Sequence, residues 1–197
     1  MSLLGILYYV ATTLKLALPM ALVVIIFRWI YKYNKGKGKI DCWKKELGLD
    51  LLIVYIFCLY QITALRIGLG FSLINLIEGE RSINLVPLVQ LIRLLVLKEW
   101  WLVIYNVVGN CIWFIPLGFL LPLLWKEKQR GWKVVGIGTL ISTSIEMLQF
   151  ILGTGTMDSD DVLLNALGTL MGYGIWQLMK KHPLENGIEQ HTKNASS

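Results

Sequence analysis

Five long apolar stretches, residues 7–30, 49–65, 101–125, 134–152 and 162–179, constrain this chain more than any other feature. A bilayer core of about 30 Å takes a helix of about 20 residues, so each stretch spans or nearly spans a membrane. With no water in the hydrocarbon, backbone polar groups must find partners within the segment, which points to helices. Of the 197 residues, 16% are charged, against about 25% in soluble domains. A soluble globule is excluded, and the fold expected is all-α: a polytopic membrane helix bundle of about five transmembrane helices plus one outer interfacial helix.

The net charge of +6 does not signal nucleic acid, because no Arg-rich or aromatic-interleaved recognition stretch is present. The cations sort by connection instead. Lys32, Lys35, Lys37, Lys39, Lys44 and Lys45 follow the first span, Lys126, Lys128, Arg130 and Lys133 the third, and Lys180, Lys181 and Lys193 the fifth; together these are 13 of the 19 Lys and Arg. Residues 153–161 hold none. The positive-inside rule then places the chain in the cell membrane with its N-terminus outside and its C-terminus in the cytoplasm. Lys15 is expected to snorkel outward and Arg28 inward.

Residues 83–100 are apolar on average but interrupted by Pro87, Gln90, Arg93, Lys98 and Glu99. Gln90 and Arg93 share a helix face while Leu88, Leu91, Ile92 and Leu95 can meet lipid, the pattern of an interfacial helix at the outer surface. The expected division is therefore two N-terminal transmembrane helices with a basic cytoplasmic loop (1–79), a core of three transmembrane helices (80–179), and a polar, disordered cytoplasmic tail (180–197).

Polar groups inside the spans carry the functional signal, because an ionisable side chain there costs several kcal/mol and faces the bundle interior. Ser142, Glu146 and Gln149 are spaced i, i+4, i+7 and fall on one face of the fourth span. Asp161, Asn165, Gly168 and Gly172 form a similar stripe on the fifth, and the two glycines make a small-xxx-small surface for close helix approach. Asn106 and Asn110 lie four apart on the third. In the topology above all these groups, with Arg66, Arg81, Asn84, Asp158 and Asp160, meet at the outer leaflet. The structural alternatives are helix-packing hydrogen bonds for Glu146, Asn106 and Asn110, and capping of the fifth helix by the Asp158, Asp160, Asp161 cluster.

Other chemistry is excluded or unsupported. His182 and His191 lie in the tail, so neither a Ser/His/Asp triad nor a histidine metal site can form at the outer face. GKGK at 36–39 lacks Walker spacing. Cys42, Cys58 and Cys111 are far apart and form no CxxC. Carboxylates and amides are ligands for a hard cation, so Glu146, Asp158 and Asp161 are candidate ligands for Mg²⁺ or Ca²⁺.

The succession NLVPL (84–88), GNCIWFIPLGFLLP (109–122), SIEMLQ (144–149) and DSDDVLLNALGTLMGY (158–173) resembles the bacterial VanZ-like membrane family, named for an accessory protein of teicoplanin resistance. The resemblance covers about residues 80 to 176. Relatives commonly carry an arginine shortly before the acidic cluster, where this chain has GTGTM (153–157); Arg66, Arg81 or Arg93 would have to substitute. The family has been proposed to be similar to membrane enzymes that exchange or hydrolyse lipid headgroups, including phosphatidylserine synthases, which is an analogy of fold and site.

The expected function is accordingly phosphoester transfer or hydrolysis at the outer leaflet, on an anionic phospholipid or a polyprenyl-phosphate-linked envelope precursor. Glu146 is the candidate general acid/base or metal ligand. Asp158 and Asp161 would hold a cation or activate the attacking hydroxyl, Asn110, Gln149 and Asn165 would orient the phosphate, and Asn84 and Asn106 would join the binding site. Arg81 is the candidate anion clamp. The alternative is a non-enzymatic protein that binds or translocates a lipid-linked precursor, and a third reading is a scaffold whose polar residues only pack helices.

Overall fold

A computed structural model describes residues 3–34, 43–65, 82–125 and 130–181. Five helices in it are long and apolar enough to cross a membrane: α1 (Leu3–Asn34), α2 (Trp43–Tyr60, continued by a π-helical turn, Gln61–Leu65), α4 (Trp100–Leu124), α5 (Gly131–Leu152) and α6 (Ser159–Lys181). A short α3 (Val89–Val96) precedes α4, and two-residue strands β1 (Ile83–Asn84) and β2 (Met157–Asp158) pair in parallel, Ile83 with Met157 and Asn84 with Asp158. The protein is an all-α, multi-pass membrane bundle. Residues 35–42, with most of the basic loop and Cys42, and residues 182–197, with both histidines, lie outside the described residues, as do Arg66 and Arg81.

Glycine sets the tightest contact. A Cβ on Gly168 would lie 2.2 Å from the Cys111 carbonyl oxygen, one on Gly172 2.0 Å from that of Ile115, and one on Gly118 1.9 Å from that of Thr169. Only hydrogen fits at such distances, so the small-xxx-small stripe brings α6 against α4 backbone to backbone. The matched pairs advance together, 111 with 168 and 115 with 172, so α4 and α6 run parallel. Gly138 brings α5 in the same way onto the Thr169 side chain.

The N-terminal pair packs on this core. Thr13, Ala17 and Ala21 are the buried stripe of α1, spaced i, i+4, i+8, and α1 meets α2 and the π turn. Pro116 inside α4 cannot donate to the carbonyl four residues back and crowds that turn; there the Tyr55 hydroxyl of α2 donates to the Trp113 carbonyl. Large apolar side chains such as Leu22, Phe27, Leu140 and Leu163 are exposed, as expected of surfaces that lipid solvates.

Arg28 does not simply snorkel. It donates to Glu46 at 2.6 Å and to Asp50, Lys32 pairs with Glu46 at 2.6 Å, and the Trp29 indole donates to Asp50 at 3.3 Å. These ion pairs join the end of α1 to the start of α2, at the end of the bundle remote from the π turn.

Candidate functional site

The end of α5 organises the site. Gly153 takes a left-handed backbone (φ 62°) that most side chains resist. Its N–H donates to the Phe150 carbonyl, and that of Thr154 donates to Gln149 at 3.0 Å. This closes the helix as a Schellman turn. The chain then passes through Gly155 and Thr156 into β2, which delivers the acidic cluster to the start of α6. Strand β1 is held alongside by the Met157 N–H on the Ser82 carbonyl at 3.1 Å and by the Ser82 and Thr156 hydroxyls at 2.8 Å.

Each carboxylate has a distinct task. Glu146 is 2% exposed, and its Oε2 accepts the Asp158 N–H at 3.0 Å. Asp158 caps α6: its Oδ1 accepts the Asp160 N–H at 2.9 Å and the Asn84 amide at 3.1 Å. Asp160 turns away to α3, accepting the Leu88 N–H and, at 3.4 Å, the Leu91 N–H. Asp161 Oδ1 accepts the Asn110 amide of α4 at 2.5 Å. The capping read from sequence is thus present at Asp158, while Asp160 caps a helix far away in the chain.

The amides tie the helices around this loop. Gln149 donates to the Thr63 carbonyl of the π turn at 3.0 Å, and the Thr154 hydroxyl donates to that of Ala64 at 2.8 Å. Carbonyls in the last turn of a helix lack intrahelical donors and are open to such side chains, and π turns are frequent at functional sites. Deeper in the bundle, Asn165 donates to the Ser142 hydroxyl at 2.8 Å, and its Oδ1 is buried without a partner among the described residues.

A polar cavity of about 300 Å³ opens among these elements, lined by Asn106, Gln149, Gly155, Thr156, Asp158, Asp160, Asp161 and Leu164, with Gln90 and Leu91 of α3 on the remaining side. Of the residues expected from sequence, Asn106, Gln149, Asp158 and Asp161 line it. Glu146, Asn84, Asn110 and Asn165 do not; each of the first three holds a carboxylate or backbone group of the acidic loop from behind, and Asn165 bonds Ser142 instead. Arg81 lies outside the described residues. Gln90 and the π turn were not singled out for the site by sequence. Gln90 was legible as the polar face of α3, whereas the Thr63 carbonyl is a backbone feature that side-chain patterning cannot show.

Charge in the cavity wall is negative. Among the described residues no three carboxylates, histidines or cysteines converge as a metal-ligand set. Arg93 is exposed one turn beyond Gln90 on α3. The wall therefore offers acceptors for hydroxyl or ammonium hydrogens, with a cation beyond its α3 side.

A family model described as VanZ/LLP1 matches residues 52–180. That match takes in the second half of α2 and the π turn as well as the region from about residue 80 that carries the motifs. A protein of Enterococcus faecium named Protein VanZ is 27% identical over 147 residues, which cover 74% of this chain and 83% of that protein. No solved structure matches the chain.

Proposed function

This chain belongs to the VanZ/LLP1 family, and on that premise we propose that it is a membrane enzyme of lipid headgroups. The substrate is an anionic phospholipid or a polyprenyl-phosphate-linked envelope precursor, and the reaction is phosphoester transfer or hydrolysis at the outer leaflet. The observation that carries the reading is the carboxylate-and-amide cavity at one end of a membrane bundle, a place that a headgroup can reach while its tails stay in lipid.

In this scheme Asp161 is the general base. It lines the cavity, and the Asn110 amide holds its Oδ1. The attacking hydroxyl, of water or an alcohol, loses its proton to Asp161 as its oxygen bonds to phosphorus. The leaving alcohol departs with the P–O electron pair and is protonated from solvent. Asn106, Gln149 and Gln90 orient the headgroup, and Arg93 meets the phosphate from α3, in place of the arginine that relatives carry before the acidic cluster. Glu146 does not line the cavity, so we assign it a positioning role, acting through the Asp158 N–H, in place of the proton transfer its sequence position suggests. The outer location rests on the Lys and Arg distribution. A function connected with teicoplanin resistance follows from the same family membership.

Incubation of the purified chain with phosphatidylglycerol vesicles tests the reaction, with phosphorus NMR reading new phosphate species. Turnover lost in Asp161→Asn supports the scheme. Saturable binding of the lipid without turnover would favour the alternative, a protein that binds or translocates a lipid-linked precursor.

A further inference from the structure

The π turn decides which end of the Gln149 amide is left for the polar cavity. A backbone carbonyl can only accept, so the bond to the Thr63 carbonyl at 3.0 Å fixes Nε2 on the side of the π turn. Oε1 lies against Gly155, where an added Cβ would stand 2.8 Å from it. Gln149 and Gly155 both line the cavity. The Thr154 hydroxyl, on the Ala64 carbonyl at 2.8 Å, holds the loop that carries Gly155 to the same turn. Gln149 is 5% exposed as a whole, and its Oε1 is neither bonded among the described residues nor sealed inside the protein.

Asp158 adds a second acceptor. It is 9% exposed and lines the same cavity, and its Oδ1 takes both the Asp160 N–H and the Asn84 amide. Its Oδ2 has no partner among the described residues and is likewise not sealed off. A carboxylate and an amide oxygen accept and do not donate. A phosphate diester also presents only acceptors, and it carries a negative charge, so placed against these two oxygens it would set acceptor against acceptor. An acceptor held this deep and left unpaired is costly. The group that fits this part of the wall is a donor.

We infer that the cavity selects its lipid by a hydrogen-bond donor on the alcohol part of the headgroup, a hydroxyl or an ammonium, which donates to Gln149 Oε1. This rests on the reading that the polar cavity takes the lipid's headgroup. Gln149 is then a specificity-determining residue that meets the headgroup alcohol, in place of the phosphate contact its sequence position suggests. Gly155 leaves room beside its oxygen, and the π turn keeps the amide from turning over. The phosphate stays on the α3 side of the cavity, toward Arg93.

Native mass spectrometry of the full-length purified chain in micelles tests this with two pairs of dioleoyl lipids. Phosphatidylglycerol is set against phosphatidylpropanol, which keeps the three-carbon alcohol without a free hydroxyl, and phosphatidylethanolamine against phosphatidylcholine, which keeps the charge without an N–H. In at least one pair the wild type should prefer the donor-bearing lipid by about fivefold, the scale of one neutral hydrogen bond. The pair that shows it tells hydroxyl from ammonium. Gln149→Leu should bring that ratio close to one, and where this variant does not fold, Gly155→Ala, which places a methyl at the Gln149 oxygen, decides. A ratio within one variant is unaffected by a general loss of binding. No preference in either pair, or a preference that survives Gln149→Leu, overturns the inference. A folded Thr156→Trp, which fills the cavity from its rim, should weaken binding of all four lipids. If it does so while the wild type shows no preference, the headgroup reading stands and the role of Gln149 falls; if it leaves all four unchanged, both fall.

Discussion

The Asp160 carboxylate accepts the backbone N–H of Leu88, 72 positions earlier in the chain, and by that bond fastens helix α3 over the polar cavity. Leu88 has a left-handed backbone (φ 67°) and provides no side-chain cap of its own. That conformation costs a non-glycine residue roughly 1–2 kcal/mol. It is offset by the charged acceptor at the free N–H groups of α3, the end where a helix dipole favours negative charge.

Asp160→Ala should therefore release α3. Loss of a cap costs about 1–2 kcal/mol, roughly a tenfold increase in local opening. Hydrogen exchange should quicken at Leu91 and Ile92 while α4 and α6 keep their protection, and Asp160→Asn should show a smaller change.

Glu146 gives a contrast between two substitutions. If it positions Asp158 by accepting its N–H, Glu146→Gln keeps an acceptor and should retain activity within about threefold, whereas Glu146→Ala leaves a buried N–H unpaired and should lose tenfold or more. Equal, near-complete loss in both variants, with folding intact, would return Glu146 to proton transfer.

The glycine stripe predicts a graded stability series. Gly172→Ala places a Cβ 2.0 Å from the Ile115 carbonyl oxygen, which α4 can relieve only by moving away, at a cost of about 1–3 kcal/mol. Gly174→Ala meets nothing within 4 Å and should be neutral or slightly stabilising, since alanine favours helix by about 1 kcal/mol over glycine. Thermal midpoints in detergent measure both.

Much of this fold is legible in the sequence because membrane helices are local objects. Apolar length marked the five spans, helical spacing placed Ser142, Glu146 and Gln149 on one buried face, and the Gly168/Gly172 pair marked a surface for close helix approach, though not that α4 would be the helix to fill it. Non-local pairings were not legible. The interfacial helix was expected over 83–100 but runs from Val89 to Val96, because Ile83 and Asn84 are drawn out to pair with Met157 and Asp158. Arg28 was read as a cation snorkelling inward, and nothing in α1 reveals that Glu46 and Asp50 of α2 will face it. The sorting of the acidic cluster depends on the same long-range contacts: three neighbouring aspartates differ in sequence only by register, and the partners Asn84, Leu88 and Asn110 set their tasks.

Orientation has a direct check. Thr156 is exposed at the cavity rim, so Thr156→Cys in intact cells should react with a membrane-impermeant maleimide added outside. Labelling seen only after the cytoplasm is opened would reverse the topology and move the site to the inner leaflet.

The central claim, that the cavity performs chemistry on a lipid headgroup, is tested most directly by lipid mass spectrometry of cells expressing the wild type or Asp161→Asn at matched protein levels. A headgroup species that changes with the wild type and stays at the vector level with Asp161→Asn is the predicted result, since loss of a general base lowers turnover by about 10²–10⁴. Identical lipid profiles in wild-type, variant and vector cells, with both proteins folded in the membrane, would contradict it.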